Sequence, residues 1–434
     1  MRVKDGAHWA GVDWGQRVHD VCVLDTDGEL LEERRFDNSS KGLGELSAFL
    51  SGFADVQVAI ETPRGPVVEA LLDRDLAVFA INPKQLDRFR DRFYPSGAKD
   101  DRRDAFVLAH SRKTDAHAFK AVSAEHPVIV ELREWSRMHR ELSEERVRLT
   151  NRLQAQLRRY YPQLDGFDVP LWSAWILDLF MAAPTPDRAR SLRRQTLVRV
   201  LRGNRMRKWT LEEVREALRA PGFTVSAGTV AAASAHAETL VERIRVVSAQ
   251  HQRAVKRLDE LTERYRLDAL TERYRLDALT ERYGATELGE VDSDEDSSEQ
   301  HDVDILRSLP GVGKLVLAVL LAEALEPLQR RDYHGLRALS GVAPVTRRSG
   351  RKLVVLRRHA CHQRLAWAVF QWARAAMSND PEWHARYAAL RARGHTHGRA
   401  LRTLGDRLLR IACAMLEQGA MYDAARLAPV QRAA

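Results

Sequence analysis

The sequence predicts an α/β unit at the N-terminus followed by all-α structure. Three observations lead there. Short apolar strands interleave with helical patterns through residues 1–120. Beyond that point apolar residues recur at helical spacing, with almost no strand pattern. An acidic run, 287–304, then divides the helical remainder. The expected organisation is a mixed-sheet domain at 1–120, a helical, coiled-coil oligomerisation region at 121–286, an acidic linker at 287–304, a second helical unit at 305–425 and a tail at 426–434.

Bulk properties narrow the function classes. In 434 residues, 44% of them hydrophobic, no run of about 18 apolar residues occurs, so no membrane span is expected. The first residues reach Lys4 and Asp5 with no apolar signal core. Cys22, Cys361 and Cys413 lie far apart in no metal-ligand spacing, which predicts a cytoplasmic protein without disulfides. A net charge of +9 and a pI of about 9.6 point to a polyanionic partner.

In the first domain, residues 9–15 read as a strand carrying Asp13 at its end, and 17–23 as a second strand. Asp25-Thr26-Asp27-Gly28 is a hairpin turn into a third strand at 29–36. A helix is expected at 43–53. Residues 56–61 form a buried strand ending in Glu61, broken by Thr62-Pro63, with a helix after Gly65. A fifth strand at 76–81 and helices at 85–93 and 101–111 complete a mixed sheet flanked by helices. Asp20 and Asp25 read as surface residues.

The stretch Gly97-Ala98-Lys99-Asp100-Asp101-Arg102-Arg103-Asp104-Ala105 is the most informative in this domain. If Asp101 begins the helix, Asp101 and Asp104 share a face. An Asp N-cap on a solvated first turn accounts for this stretch by itself. Asp13 and Glu61 change that, because acids at adjacent strand ends converge on one sheet edge, and the helix pair closes the ring. Asp13, Glu61, Asp101 and Asp104 together could hold two Mg²⁺ ions (Mn²⁺ as substitute), about 3.5–4 Å apart, for phosphodiester chemistry. Asp100 is the alternative ligand should the helix phase differ by one.

The middle opens with an amphipathic helix at 130–164, expected to pair with another helix or another subunit, and an aromatic knot at 160–181. An arginine-rich stretch at 188–209 suits either nucleic acid or a solvated helix face. A second long helix at 231–283 contains a nine-residue tandem repeat: residues 261–269 recur as 270–278, and a third copy begins at 279. Two extra copies add about five whole turns, or about 27 Å, and preserve the apolar face. The repeat reads as a tolerated spacer. Residues 287–304 hold nine acids in eighteen, a flexible linker composition.

In the last unit, Pro310-Gly311-Val312-Gly313-Lys314 between helices resembles a helix–hairpin–helix turn, in which Gly311, Gly313 and Lys314 would meet a DNA phosphate; a tight interhelix turn explains it equally. The spacing excludes a Walker-type phosphate loop. Arg347, Arg348, Arg351, Lys352, Arg357 and Arg358 surround Ser349-Gly350, a group suited to holding a phosphate; composition alone favours a basic hairpin turn with an incidental serine. His359, His362, His395 and His397 read as phosphate-facing or surface residues.

Several motifs carry a family resemblance. Gly11-Val12-Asp13, Ile60-Glu61-Thr62 and Lys99 through Ala105 resemble the RuvC-like (RNase H-like) domain of DEDD-type insertion-sequence transposases, narrowly the "one-ten" family of bridge-RNA-guided recombinases. Pro310-Gly311-Val312-Gly313, Gly341-Val342-Ala343-Pro344 followed by Ser349-Gly350, a helix at 365–377, Tyr387 with Gly394, and Met421-Tyr422-Asp423 follow the order of that family's C-terminal transposase domain. The resemblance implies that Ser349 is a nucleophile that joins DNA, with Ser340 as runner-up. It implies donor and target DNA, a structured guide RNA, and a tetramer, a dimer of dimers, in which one protomer's acids meet another's serine in a bacterial, nucleoid-associated enzyme. Gly11 through Gly15 also resembles an actin-like ATPase phosphate loop, but the second loop of that superfamily is missing. Two rivals remain at this point: a metal-only RuvC-like junction nuclease, and a non-catalytic nucleic-acid-binding relic.

Overall fold

The computed structural model describes residues 7–93, 100–283, 302–349 and 352–426, with 268–283, 349, 352 and 353 described by main chain alone. The chain divides into two units, 1–126 and 127–434.

The first unit contains β1 (Trp9–Trp14), β2 (Val18–Leu24), β3 (Leu30–Asp37), α1 (Ser40–Leu50), β4 (Gln57–Ile60), α2 (Pro66–Leu72), β5 (Ala77–Ala80), α3 (Pro83–Phe93), α4 (Asp101–Thr114) and β6 (Lys120–Val122). They form a mixed α/β architecture, with sheet order β3-β2-β1-β4-β5-β6. β1 runs antiparallel to β2 and parallel to β4, β4 is parallel to β5, and β6 is antiparallel to β5. The sixth strand has no counterpart in the sequence reading, since three mostly exposed residues carry no alternation.

Alternation along β1 divides the two faces. Ala10 and Val12 pack with Leu46, Leu50, Val67 and Leu71 of α1 and α2. Gly11 faces α4 on the other side, where a Cβ would overlap the Ala105 carbonyl oxygen and stand 2.7 Å from the Ala109 nitrogen. Only a glycine lets the two backbones approach so closely. The first hairpin is held by Asp25, whose Oδ1 accepts from the N–H groups of Asp27, Gly28 and Glu29 at 2.9 Å each. Asp25 and Asp20 are buried, which corrects the surface reading of both. Asp20 is clamped by its cross-strand neighbour Arg35, with both carboxylate oxygens bonded at 3.0 Å.

The second unit contains α5 (Pro127–Tyr160), α6 (Ala174–Ala182), α7 (Pro186–Arg190), α8 (Arg194–Gly203), α9 (Leu211–Arg219), α10 (Ala227–Tyr283), α11 (Asp302–Ser308), α12 (Lys314–Gln329), α13 (Tyr333–Leu339), β7 (Val345–Ser349), β8 (Lys352–Leu356), α14 (Gln363–Asn379), α15 (Pro381–Ala392) and α16 (His397–Gln418). The long α5 finds its partner within the chain. Glu131 meets Arg257, His139 meets His251 and Glu145 meets Arg243, so α5 and α10 run antiparallel. One end of this pair packs Leu149, Leu153, Leu157, Leu240 and Ile244 around α6, α8 and α9. The other end packs Val128, Leu132, Leu258 and Leu261 into the core of α12, α14 and α16. The helical middle and the C-terminal helices are therefore one unit, not the two expected.

Three further details differ from expectation. The C-terminal region is not wholly helical, because β7 and β8 form an antiparallel hairpin. Helix α11 begins inside the expected linker, where Asp302 pairs with Arg331 and Asp304 with Arg266. The rest of the linker and the tail from 427 lie outside the described residues. Of the repeat, the first copy docks on α11 through Glu263–Arg307 and Arg266–Asp304; the later copies continue α10 by main chain.

Two predictions follow from this packing. Gly11→Ala should destabilise the protein by about 1–3 kcal/mol through the clash with α4, read as a lower urea midpoint. His139 is buried against His251; burial first, then His251 and Arg146, push its pKa from 6.5 to about 4. The folded form thus keeps the ring neutral while the unfolded chain protonates, so this contribution is complete above about pH 6.5 and falls away towards pH 4. Between pH 7 and 5 the loss should reach about 2 kcal/mol, and His139→Phe should remove most of it in paired urea titrations.

Candidate active site

The register of the sheet places the acids. Val12 of β1 pairs with Ile60 of β4, so Asp13 and Glu61 follow at neighbouring parallel strand ends. Asp13 is also paired with Asp20 of β2, and Asp20 with Arg35 of β3. Directly paired residues share a face, so Arg35, Asp20, Asp13 and Glu61 form a row across the face that α4 covers.

Helix α4 completes the site. Asp100 is its N-cap, accepting from the Arg102 nitrogen at 3.3 Å, and Asp101 is its first residue. Asp13, Glu61 and Asp101 line one open cleft of about 460 Å³, together with Trp14, Thr62 and Pro83. Asp100 does not line it, and Lys99 lies outside the described residues. Asp104 separates from Asp101 despite the three-residue spacing. It is buried under α3, where Arg90 donates from Nε at 2.6 Å and from Nη2 at 2.8 Å. Arg90 also donates to Asp87 at 2.7 Å.

The donor set of the cleft suits a hard divalent ion, being all carboxylate with solvent access. Among the described residues, however, no three acidic, histidine or cysteine side chains form a group that would enclose an ion. The cleft is lined by the three acids without their closing into a centre. Carboxylates about 4 Å apart would repel by about 4 kcal/mol at an effective dielectric of 20, so closing them requires a cation.

The sequence reading missed Asp20, Arg35, Arg90 and Arg102. Arg102 stands 4.0 Å from Asp20, beside the Asp20–Arg35 clamp. Hairpin pairing could have exposed the clamp, except that a bulge at Val23/Leu24 shifts the register. Nothing local marks Arg90 as the partner of Asp104.

In the second unit, Gly311 has φ +80°, and a Cβ there would stand 2.5 Å from the Ala376 nitrogen of α14. The Pro310 carbonyl accepts from the Trp372 indole at 2.9 Å, and Lys314 is ion-paired with Asp259 at 2.6 Å. Packing therefore explains Gly311, and Lys314 already has a carboxylate. Gly313 N-caps α12. Arg347 and Arg348 are exposed on β7, which ends at Ser349; Lys352 opens β8, and Gly350 and Arg351 lie outside the described residues. Ser340 is buried at the C-cap of α13. His362 departs from the surface reading: it caps α14 and stands 3.4 Å from the buried Glu323. His397 is exposed, as expected, and bonds the Tyr387 hydroxyl at 2.8 Å.

Comparison with known proteins gives this architecture its class. Residues 10–162, which include the acid cleft, match the DEDD transposase model of the IS110 group, described as "Transposase". Residues 303–388, which include the β7–β8 hairpin, match the model described as "Transposase IS116/IS110/IS902 family". The chain is 32% identical over 439 residues to the "Mini-circle putative transposase for IS117" of Streptomyces coelicolor, covering 98% of each chain. It is 47% identical over 207 residues to "Putative transposase y4uE" of Sinorhizobium fredii, covering 46% of this chain and 58% of that one. An insertion element IS900 protein of Mycobacterium paratuberculosis is 26% identical over 427 residues, 96% of this chain and 97% of its own. The protein is a DNA transposase. It belongs to the IS110 family. Among the described residues no helix is long and apolar enough to cross a membrane.

Removing Arg90 should leave Asp104 as a buried, uncompensated charge. Arg90→Ala is expected to lose about 3 kcal/mol at neutral pH, whereas Arg90→Ala/Asp104→Asn should recover much of that in the same denaturation assay.

Proposed function

We propose that this transposase excises and inserts its element by divalent-metal-assisted strand cleavage, with Ser349 as the nucleophile that becomes joined to DNA. The observation that carries the reading is the convergence of Asp13, Glu61 and Asp101 on one cleft in a chain of this family. A sheet with three antiparallel strands, then two parallel to the first, and acids at neighbouring strand ends supports a RuvC-like domain. Asp13, Glu61 and Asp101 would hold Mg²⁺ or Mn²⁺, which when bound favours the ionised form of an attacking hydroxyl and stabilises charge on a leaving oxygen.

The chain's own residues do the rest. The Ser349 hydroxyl loses its proton as its oxygen bonds phosphorus, the bond from phosphorus to the leaving sugar oxygen breaks, and that oxygen takes up a proton. Arg347, Arg348, Arg351 and Lys352 hold the non-bridging oxygens and offset their charge. Asp104 is the fourth acid of the quartet, and Arg90 would have to release it before it could serve as a ligand. Gly311, Gly313 and Lys314 are secondary backbone contacts in this scheme. Acids and serine belong to different units, which suits a reaction shared between protomers of a tetramer, joined in part through the coiled-coil pair. A structured RNA that pairs with donor and target DNA would supply sequence choice, leaving the protein to bind backbone.

Excision in cells from a plasmid bearing the gene and its flanks tests the scheme through the circular junction it produces. Ser349→Ala and Asp101→Ala, at matched soluble levels, should each lower the junction by at least about 100-fold. Persistence of the junction in Ser349→Ala would replace serine chemistry with attack by water.

A further inference from the structure

Two stretches of the second unit contain no acid: residues 333–379, with nine arginines and lysines, and 383–405, with five. Arg337, Arg364 and Arg386 find acids outside these stretches, at Asp406, Glu323 and Glu382. The packing of α14 on α16 brings parts of the two stretches together. Arg399 and Arg402, three residues apart on α16, share a face. The Arg402 guanidinium folds back over the start of its helix, with Nη1 3.5 Å from where a Gly398 Cβ would stand. Arg357, the residue after β8, is near enough to act on the charge of Arg402. Arg402 is half-buried, and burial first, then Arg357 and Arg399, depress its pKa. Among the described residues none of the three makes an ion pair. Such like charges, one of them partly desolvated, oppose folding unless an anion is to be held there.

We infer that Arg357, Arg399 and Arg402 form a binding site for the phosphate backbone of duplex DNA, continuous with the hairpin that ends in Ser349. A five-residue strand carries the chain about 17 Å from Arg357 to the hairpin turn, about five base-pair steps of duplex. One DNA backbone can therefore run from this cluster along the hairpin, where Arg347 and Arg348 stand on opposite faces and one of them meets it. The inference rests on the DNA transposase assignment and is independent of the serine chemistry.

The test is fluorescence anisotropy with a short labelled duplex, in EDTA, across a salt series. Arg399→Gln/Arg402→Gln should bind about tenfold more weakly, with a log K against log salt slope shallower by about two contacts. Its thermal midpoint should equal or exceed wild type, because mutual repulsion is removed. Arg215→Gln/Arg219→Gln, on α9, should bind as wild type does. The assay contains no divalent ion and reads binding alone, so a failure of serine chemistry would leave this result intact. Unchanged affinity and slope would overturn the inference. So would an equal loss in the α9 variant, or a loss confined to structured RNA offered as competitor.

Discussion

The close approach of α4 to β1 at Gly11 is the constraint on which the first unit depends. With the Ala105 carbonyl lying where a side chain would begin, the register of α4 against β1 is fixed at a backbone contact. Two residues along β1 lies Asp13, and one turn before Ala105 along α4 lies Asp101. The same contact therefore sets which acids meet. A one-residue slip of α4 would rotate Asp101 off the cleft by about 100°. Ordinary side-chain packing would tolerate small adjustments, but a backbone contact does not.

Charge is handled differently at neighbouring acids. Asp20 and Asp104 are buried, and each receives two bonds from one guanidinium, Arg35 and Arg90 respectively. Asp13, Glu61 and Asp101 border an open cleft instead. Buried carboxylates are thus neutralised by the fold itself, whereas those on the cleft can be neutralised by what enters it. The second unit shows the opposite sign: Arg347 and Arg348 on the hairpin and Arg399 and Arg402 of α16 lie in the two stretches without acids, 333–379 and 383–405. Positive surfaces of this kind hold backbone phosphates without reading bases.

Much of this was legible in the sequence. The first five strands, the hairpin turn at Asp25 and both long helices follow from apolar periodicity and turn chemistry, which are local. So do the strand-end positions of Asp13 and Glu61. The fates of Asp20 and Asp104 were not legible, because their burial depends on Arg35 and Arg90, fifteen and fourteen residues away in sequence. The β7–β8 hairpin looked like a loop because Thr346, Arg347 and Arg348 are exposed and give no alternation. The fusion of middle and C-terminal helices was hidden because Leu258 and Leu261 carry the same pattern whichever core they enter. Gly311 showed the limit of motif reading: a glycine that appeared to offer its N–H to phosphate is required by α14.

The most direct test is to look for the protein–DNA bond itself. Purified transposase, with Mg²⁺, its flanking DNA and RNA made in vitro from those flanks, would be quenched in denaturant and the labelled adduct mapped by peptide mass spectrometry. The mechanism predicts a nucleotide attached at Ser349, absent in Ser349→Ala and in Asp101→Ala alike. Strand cleavage without an adduct, or an adduct that Asp101→Ala leaves undiminished, would contradict it.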